Sequence, residues 1–203
     1  NKMQKASDNS QTRETAATMG KHISRMENYV SSMSNLRRME DTQPDYKLID
    51  LQPLVSSLYD SAKIVCTKNG KELILQNDIP ILQLSLDSAF ISQVCNNLIS
   101  NAVRYARTLV TISFALHDNG LLLSVSDDGN GFDKDSLQKA ANPYFTGESN
   151  HSEHFGLGLY ICKLLCEHHN GYLQIRNTVN GANVFAYFKS PTLYIKSRYF
   201  PFI

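Results

Sequence analysis

The sequence predicts an α+β domain, a mixed sheet with helices on one face, preceded by a single amphipathic helix. Three observations predict it. Apolar residues recur at helical spacing in separate stretches, as at Leu54, Val55, Leu58, Ala62 and Val65. Elsewhere they alternate at period two, as at Val110, Ile112, Phe114 and Leu116 and again at Leu121, Leu123 and Val125. Short turn signals, Asp118-Asn119-Gly120 and Asn180-Gly181, sit between such stretches and mark hairpins.

The elements follow in order. Met19, Ile23, Met26, Val30 and Met33 are spaced as the seam of a helix that meets another helix, and Pro44 stops it, placing a boundary near residue 45. A second amphipathic helix carries Leu54 to Val65, with Pro53 tolerated in its first turn and Gly70 placed to end it. Strands are expected at about 72 to 77 and 82 to 86. Asp87 can then cap a helix by accepting bonds from its free backbone N–H groups. The hairpin of residues 110 to 125 follows. Residues 132 to 155 form a polar connection longer than a compact domain normally uses, and such a loop is expected to be a mobile lid. A helix from about 157 to 169 ends at Asn170-Gly171, strands follow near 172 to 177 and 183 to 189, and residues 190 to 203 form an aromatic, unpatterned tail.

The bulk numbers narrow the function. At 203 residues with 42% hydrophobic residues, the chain can bury the core of one ordinary domain plus an appendage. Twenty Lys and Arg against 19 Asp and Glu give a formal net charge of +1, which supplies no argument for nucleic acid as a partner. No run of about 18 apolar residues and no signal peptide is expected. Cys66, Cys95, Cys162 and Cys166 form neither a disulfide framework nor a zinc pattern, so reduced thiols are expected, with Cys162 and Cys166 as buried small residues. His151, His154, His168 and His169 show no standard zinc spacing either.

Four motifs lie in fixed order. On the helix after Asp87, Asn97, Asn101 and Arg104 recur at gaps of four and three, so they share a stripe beside the apolar Val94, Leu98 and Ala102. Such amides either cap neighbouring loops or form a pocket wall, in which an amide oxygen suits Mg²⁺ and an arginine neutralises phosphate oxygens. Along the second hairpin strand Asp127 falls on the face of Leu121, Leu123 and Val125, toward the core. Its carboxylate is either satisfied by the N–H groups of its own turn or accepts the exocyclic amine of adenine, with Gly129 and Gly131 letting backbone approach the ring. Asp128 points the other way and is left out. Pro143-Tyr144-Phe145 comes next. Gly156-Leu157-Gly158-Leu159 then opens a helix, as a plain loop-to-helix turn or as a cradle for phosphate.

Together these residues resemble a family. Asn97 to Tyr105 is similar to the N box of sensor histidine kinases, Asp127 to Gly131 to the G1 box, Pro143 to Phe145 to the F box and Gly156 to Leu159 to the G2 box. Residues 46 to 189 thereby resemble the family's ATP-binding catalytic domain. Arg25 to Glu27 and Leu36 to Glu40 resemble the second helix of its dimerisation and phosphoacceptor hairpin, which would occupy residues 1 to 45. The resemblance implies a Bergerat-type two-layer α/β sandwich and ATP and Mg²⁺ as cofactors. It implies that Asn101 ligates the metal and that Asn97 and Arg104 assist at metal and phosphates as the catalytic pair. Tyr105 would pack near adenine, Asp127 would bind its amine, and Gly129, Gly131, Phe145, Gly156, Leu157 and Gly158 would shape the pocket. The γ-phosphoryl group would pass to a histidine and then to an aspartate of a response regulator receiver domain. The hairpin helix would self-associate in a longer protein, a cytoplasmic domain of a membrane-anchored bacterial sensor.

Two departures from the family accompany the resemblance. His22-Ile23-Ser24 lacks the acidic residue that follows the family's acceptor histidine and falls on the second hairpin helix, so the acceptor is expected upstream of a truncated chain. His154-Phe155 stands where the family often has Gly-Thr. The alternatives are a nucleotide-binding or docking module without phosphotransfer, a serine kinase of the anti-sigma type, and an ATPase of the mismatch-repair or topoisomerase type. The last needs a glutamate base where this chain has Asn97, whose amide cannot take a proton from water.

Overall fold

The computed structural model describes residues 15, 18–20, 23, 26–27, 30, 33–34, 37, 39–80, 83–145 and 156–194. The elements after the leading helix are β1 (Lys47–Asp50), α1 (Leu51–Lys68), β2 (Glu72–Asn77), β3 (Gln83–Leu86), α2 (Ser88–Tyr105), β4 (Leu109–His117), β5 (Gly120–Asp127), α3 (Lys134–Lys139), α4 (Gly158–His168), β6 (Tyr172–Thr178), β7 (Gly181–Lys189) and β8 (Leu193–Tyr194).

Five strands form a mixed sheet in the order β2-β4-β5-β7-β6, in which only the β2–β4 pair is parallel. Alternation along β4 and β5 gives one face to the core, where Val110, Ile112, Phe114, Leu121, Leu123 and Val125 are buried. Helices α1, α2 and α4 cover that face. Each buried Leu, Ile, Val or Phe there contributes on the order of 1.5–3 kcal/mol of hydrophobic stabilisation. This is the predicted α+β sandwich.

The central helix starts as expected. Asp87 Oδ1 accepts the N–H groups of Ala89 at 2.9 Å and Phe90 at 3.1 Å, and its Oδ2 accepts the N–H of Asp45 at 2.8 Å. The β4–β5 hairpin closes through Asp118 in the left-handed region, φ +48°, so the two-residue loop twists with its strands. Helix α1 ends as its sequence requires, with Gly70 at φ +67° and the Lys71 N–H returning to the Cys66 carbonyl at 2.9 Å.

Several expectations are corrected. Val65 is 37% exposed, while Leu51 and Cys66 are fully buried, so the inward stripe of α1 runs Leu51, Val55, Leu58, Ala62, Cys66. A cysteine serves there as a small hydrophobe. Residues 83–86 do not join the main sheet but pair with β1 on one side and β8 on the other, a second sheet that short-range patterning did not reveal. The expected tail thus contributes Leu193 and Tyr194 to a strand, and the rest of it lies outside the described residues. The expected polar connection contains α3, capped by Asp133 through the Ser136 N–H at 2.7 Å; residues 146–155, with His151 and His154, lie outside the described residues.

The described residues from 15 to 41 are helical, and the seam residues Met19, Ile23, Met26 and Val30 are exposed. The end of this helix meets the domain. Tyr144 Oη donates to Met33 Sδ at 2.5 Å, Gln93 Nε2 to Met39 Sδ at 3.5 Å and Tyr160 Oη to Glu40 Oε1 at 3.4 Å.

Candidate nucleotide site

The site begins on α2. Val94, Leu98 and Ala102 point into the core, which turns Asn97, Asn101 and Arg104 along one half-buried edge of the helix. Asn97 Nδ2 is shut off from solvent with no hydrogen-bond partner among the described residues. It faces the thiol of Cys162 on α4. Burial pushes the Cys162 and Cys95 thiols up to about 12, so both stay neutral thiols at neutral pH. The Arg104 guanidinium lies over the ring of Tyr105 at 5.8 Å, and that ring is about half exposed at the end of the helix.

Two motifs meet at the end of β5. Asp127 Oδ1 accepts the Gly129 N–H at 2.9 Å, which folds the turn back on its own carboxylate. A Cβ on Gly129 would lie 2.3 Å from the Tyr105 carbonyl oxygen, so only glycine lets the turn lie on the last residue of α2. Burial raises the Asp127 carboxyl above the usual aspartate range, against the lowering effect of the Gly129 and Ala182 N–H groups, and the neighbouring charge of Asp128 adds to the rise. The turn's own N–H therefore satisfies part of the carboxylate, as one of the two readings of Asp127 drawn from the sequence expects.

Asp128, set aside in the sequence, organises the opposite side. Its Oδ1 accepts the N–H of Arg107 at 2.7 Å and of Thr108 at 3.0 Å, and its Oδ2 accepts the Thr108 hydroxyl at 2.7 Å. Arg107 Nη2 donates to Asn130 Oδ1 at 2.6 Å, and Lys71 Nζ donates to the carbonyls of Ala106 and Arg107 at 2.7 and 2.9 Å. The segment leaving α2 is thus held from both of its backbone polarities. Pointing away from the core was the correct geometry for Asp128, but an outward side chain at a strand end still reaches the adjoining turn.

The other two motifs also meet. Gly156, at φ +64°, packs on the backbone of Phe145, where a Cβ would lie 2.3 Å from the carbonyl oxygen. Leu157 is buried and occupies the N-cap position of α4. Gly158 differs from its neighbours, because a Cβ there would meet nothing within 4 Å among the described residues. Among the described residues, no side chain or backbone of another element crowds the Gly158 Cα in the first turn of α4. His169 is fully buried at the far end of the same helix, where its Nε2 accepts the Asp87 N–H at 3.2 Å, a structural position. Among the described residues no group of His, Cys, Asp or Glu forms a metal cluster, and no helix is long and apolar enough to cross a membrane.

Comparison with known proteins places the chain in a family and a fold. Residues 86–192 match the family described as histidine kinase-, DNA gyrase B-, and HSP90-like ATPase. The sensor protein kinase PilS of Pseudomonas aeruginosa is 30% identical over 168 residues, 79% of this chain and 31% of that protein. The sensor histidine kinase YvrG of Bacillus subtilis is 27% identical over 177 residues, 82% of this chain and 30% of that protein. The chain thus spans about a third of the length of these two relatives. In fold it is similar to the Acinetobacter baumannii histidine kinase AdeS, with TM-score 0.65 and 19% identity over 84% of this chain and 81% of that one. The catalytic domain of histidine kinase ThkA gives TM-score 0.63 and 22% identity over 72% of this chain and 96% of that one.

Proposed function

The chain belongs to the histidine kinase-, DNA gyrase B-, and HSP90-like ATPase family, with the architecture of a sensor histidine kinase catalytic domain, and from that premise we propose that it binds ATP with magnesium between α2, the end of β5 and the start of α4. The observation that supports this reading is the meeting of Asp127, Gly129 and the Tyr105 carbonyl, which sets a partly buried carboxylate beside the end of α2. Asp127 accepts the exocyclic amine of adenine, Tyr105 packs beside the ring, and Gly131 and Phe145 complete its surroundings. Gly156, Leu157 and Gly158 present the N–H groups of α4 to the phosphates, where the missing side chain of Gly158 leaves room.

Asn101, with Asn97 beside it, offers amide oxygens of the hard-ligand type that magnesium prefers. The ion, when bound, neutralises phosphate charge. Arg104 adds a fixed positive charge on the same side. The chain's residues thus bind, orient and screen the triphosphate, which is most of what phosphoryl transfer asks of a protein. Asn97 provides no base for water, so transfer to a histidine imidazole, with ADP leaving, is favoured over hydrolysis. That histidine lies on a segment outside this chain, and the phosphoryl group passes from it to an aspartate of a response regulator. The exposed seam of the leading helix pairs with a second hairpin helix in the longer protein.

Titration calorimetry tests the reading. The chain binds ATP in a magnesium-dependent way, and Asn101→Ala and Asp127→Ala each weaken binding by roughly 10- to 100-fold, the loss of one or two charge-assisted contacts. Unchanged affinity in both variants would sink the assignment.

A further inference from the structure

The turn from Asp127 to Gly131 is held on two flanks, and only one of them belongs to the motifs. On the other stands Asn177, on β6. Its Oδ1 accepts the N–H of Phe132 at 2.8 Å, and its Nδ2 donates to the Phe132 carbonyl at 2.6 Å. Two bonds to the N–H and C=O of one residue copy what a neighbouring strand would make, so the side chain extends the ladder to a segment that is not itself a strand. Gly131 lies against the same amide. At φ +73° it occupies the left-handed region, and a Cβ there would come within 2.7 Å of Asn177 Oδ1.

The β6–β7 hairpin brings this amide to the turn by backbone contact. A Cβ on Gly181 would lie 2.1 Å from the Asp127 carbonyl oxygen and 2.9 Å from the Gly129 nitrogen. Asn177 is itself exposed, so its bonds exchange readily for bonds to water and add little net stability. What they add is position. Residues 128 to 131 belong to no helix or strand past the end of β5, and a displacement of about 1 Å at such a site degrades its function far more than its stability.

We infer that Asn177 is a positioning residue of the nucleotide site, holding Gly131 and Phe132 so that Asp127 and its two glycines keep the geometry that reads adenine. The inference rests on the proposed reading of the site. Neither a serine nor a glutamine reproduces it, because the first lacks the second polar atom and the second adds a methylene against Gly131.

The test uses the whole chain, with ATP and GTP titrated separately by calorimetry and nucleotide-free unfolding followed in urea. Asn177→Ala is expected to weaken ATP binding about tenfold, the scale of one net hydrogen bond, and GTP binding less, so that the preference for adenine shrinks while the unfolding midpoint barely moves. Asn177→Asp keeps the acceptor for the Phe132 N–H but sets a carboxylate oxygen against its carbonyl, and is expected to lose at least as much. Equal losses for both nucleotides, or no loss in either variant, overturn the inference while the site assignment stands. A wild-type chain that binds no ATP overturns the assignment and the inference together.

Discussion

Asp128 accepts the backbone N–H of Arg107 at 2.7 Å, and this bond ties the end of β5 to the turn that leaves α2. The Thr108 N–H and hydroxyl complete the carboxylate's partners, so the residue after Asp127 ties the end of β5 to the segment that leaves α2. Its role is that of a clamp between loops, and its chemistry predicts how the clamp fails.

Asp128→Ala is expected to cost about 1–2 kcal/mol in urea unfolding at pH 7, at the low end for bonds to a charged group because the carboxylate is half-exposed. Burial alone would push the carboxyl up, but the bonds from the Thr108 hydroxyl and from the N–H groups of Leu109, Thr108 and Arg107 outweigh it and hold the group well below the usual carboxylate range. A depressed folded pKa means that the stabilisation is complete above the unfolded value, near 4, and is lost as pH falls through the folded one. The gap between wild type and variant should therefore narrow below about pH 4. An equal gap at pH 7 and pH 3 would show that the carboxylate's charge plays no part.

The two glycines that open α4 should respond in opposite ways. Gly156→Ala forces a Cβ at φ +64° to within 2.3 Å of the Phe145 carbonyl oxygen, and is expected to destabilise the fold by more than about 1 kcal/mol. Gly158→Ala meets nothing within 4 Å among the described residues, at a helical position, and should leave the thermal midpoint unchanged or raise it, by up to about 0.5–1 kcal/mol in stability. In the proposed site its methyl group occupies the phosphate approach, so ATP affinity should fall about tenfold, 1.4 kcal/mol of lost binding. Thermal unfolding with and without ATP reads both effects, and full ligand-induced stabilisation of Gly158→Ala would mean that the open space is not where phosphate sits.

The residues that announced themselves in the sequence were those whose role depends on local spacing. Asp87 is a cap because it precedes a helix, and Asn97, Asn101 and Arg104 share an edge because a helix repeats every 3.6 residues. What stayed hidden depends on contacts far apart along the chain. β1 and β8 pair with a strand that none of the local patterns links to them. Asn177 reaches a residue 45 positions away, and an isolated asparagine carries no spacing signal. Val65 was misplaced because Val looks more hydrophobic than the cysteine beside it, whereas the register of α1 is set by Leu51, which turns Cys66 inward. Cys66 takes the core position as a small hydrophobe, which its residue type permits.

His169 offers a last measurable consequence, at the junction of α2, α4 and β7. Its ring is fully buried among Tyr46, Phe90 and Phe188, and its Nε2 is the acceptor for the Asp87 N–H. Burial lowers its pKa, only partly offset by the Asp87 carboxylate and the Lys189 carbonyl, while the charge of His168 lowers it further. The folded protein therefore holds His169 neutral where the unfolded chain, with a pKa near 6.5, takes up a proton. Between those values the unfolded state binds more protons, so this residue's contribution to stability falls as pH drops from about 6.5 toward the folded pKa. His169→Phe keeps the ring but leaves the Asp87 N–H buried without its acceptor, and should cost about 1–3 kcal/mol at pH 7.5. Phenylalanine does not titrate, so the variant lacks this residue's acid-dependent loss and the gap to wild type should close between pH 7.5 and 5.5. A gap that widens on acidification would mean that Asp87 stabilises a charged imidazole in the folded state, reversing the sign argued here.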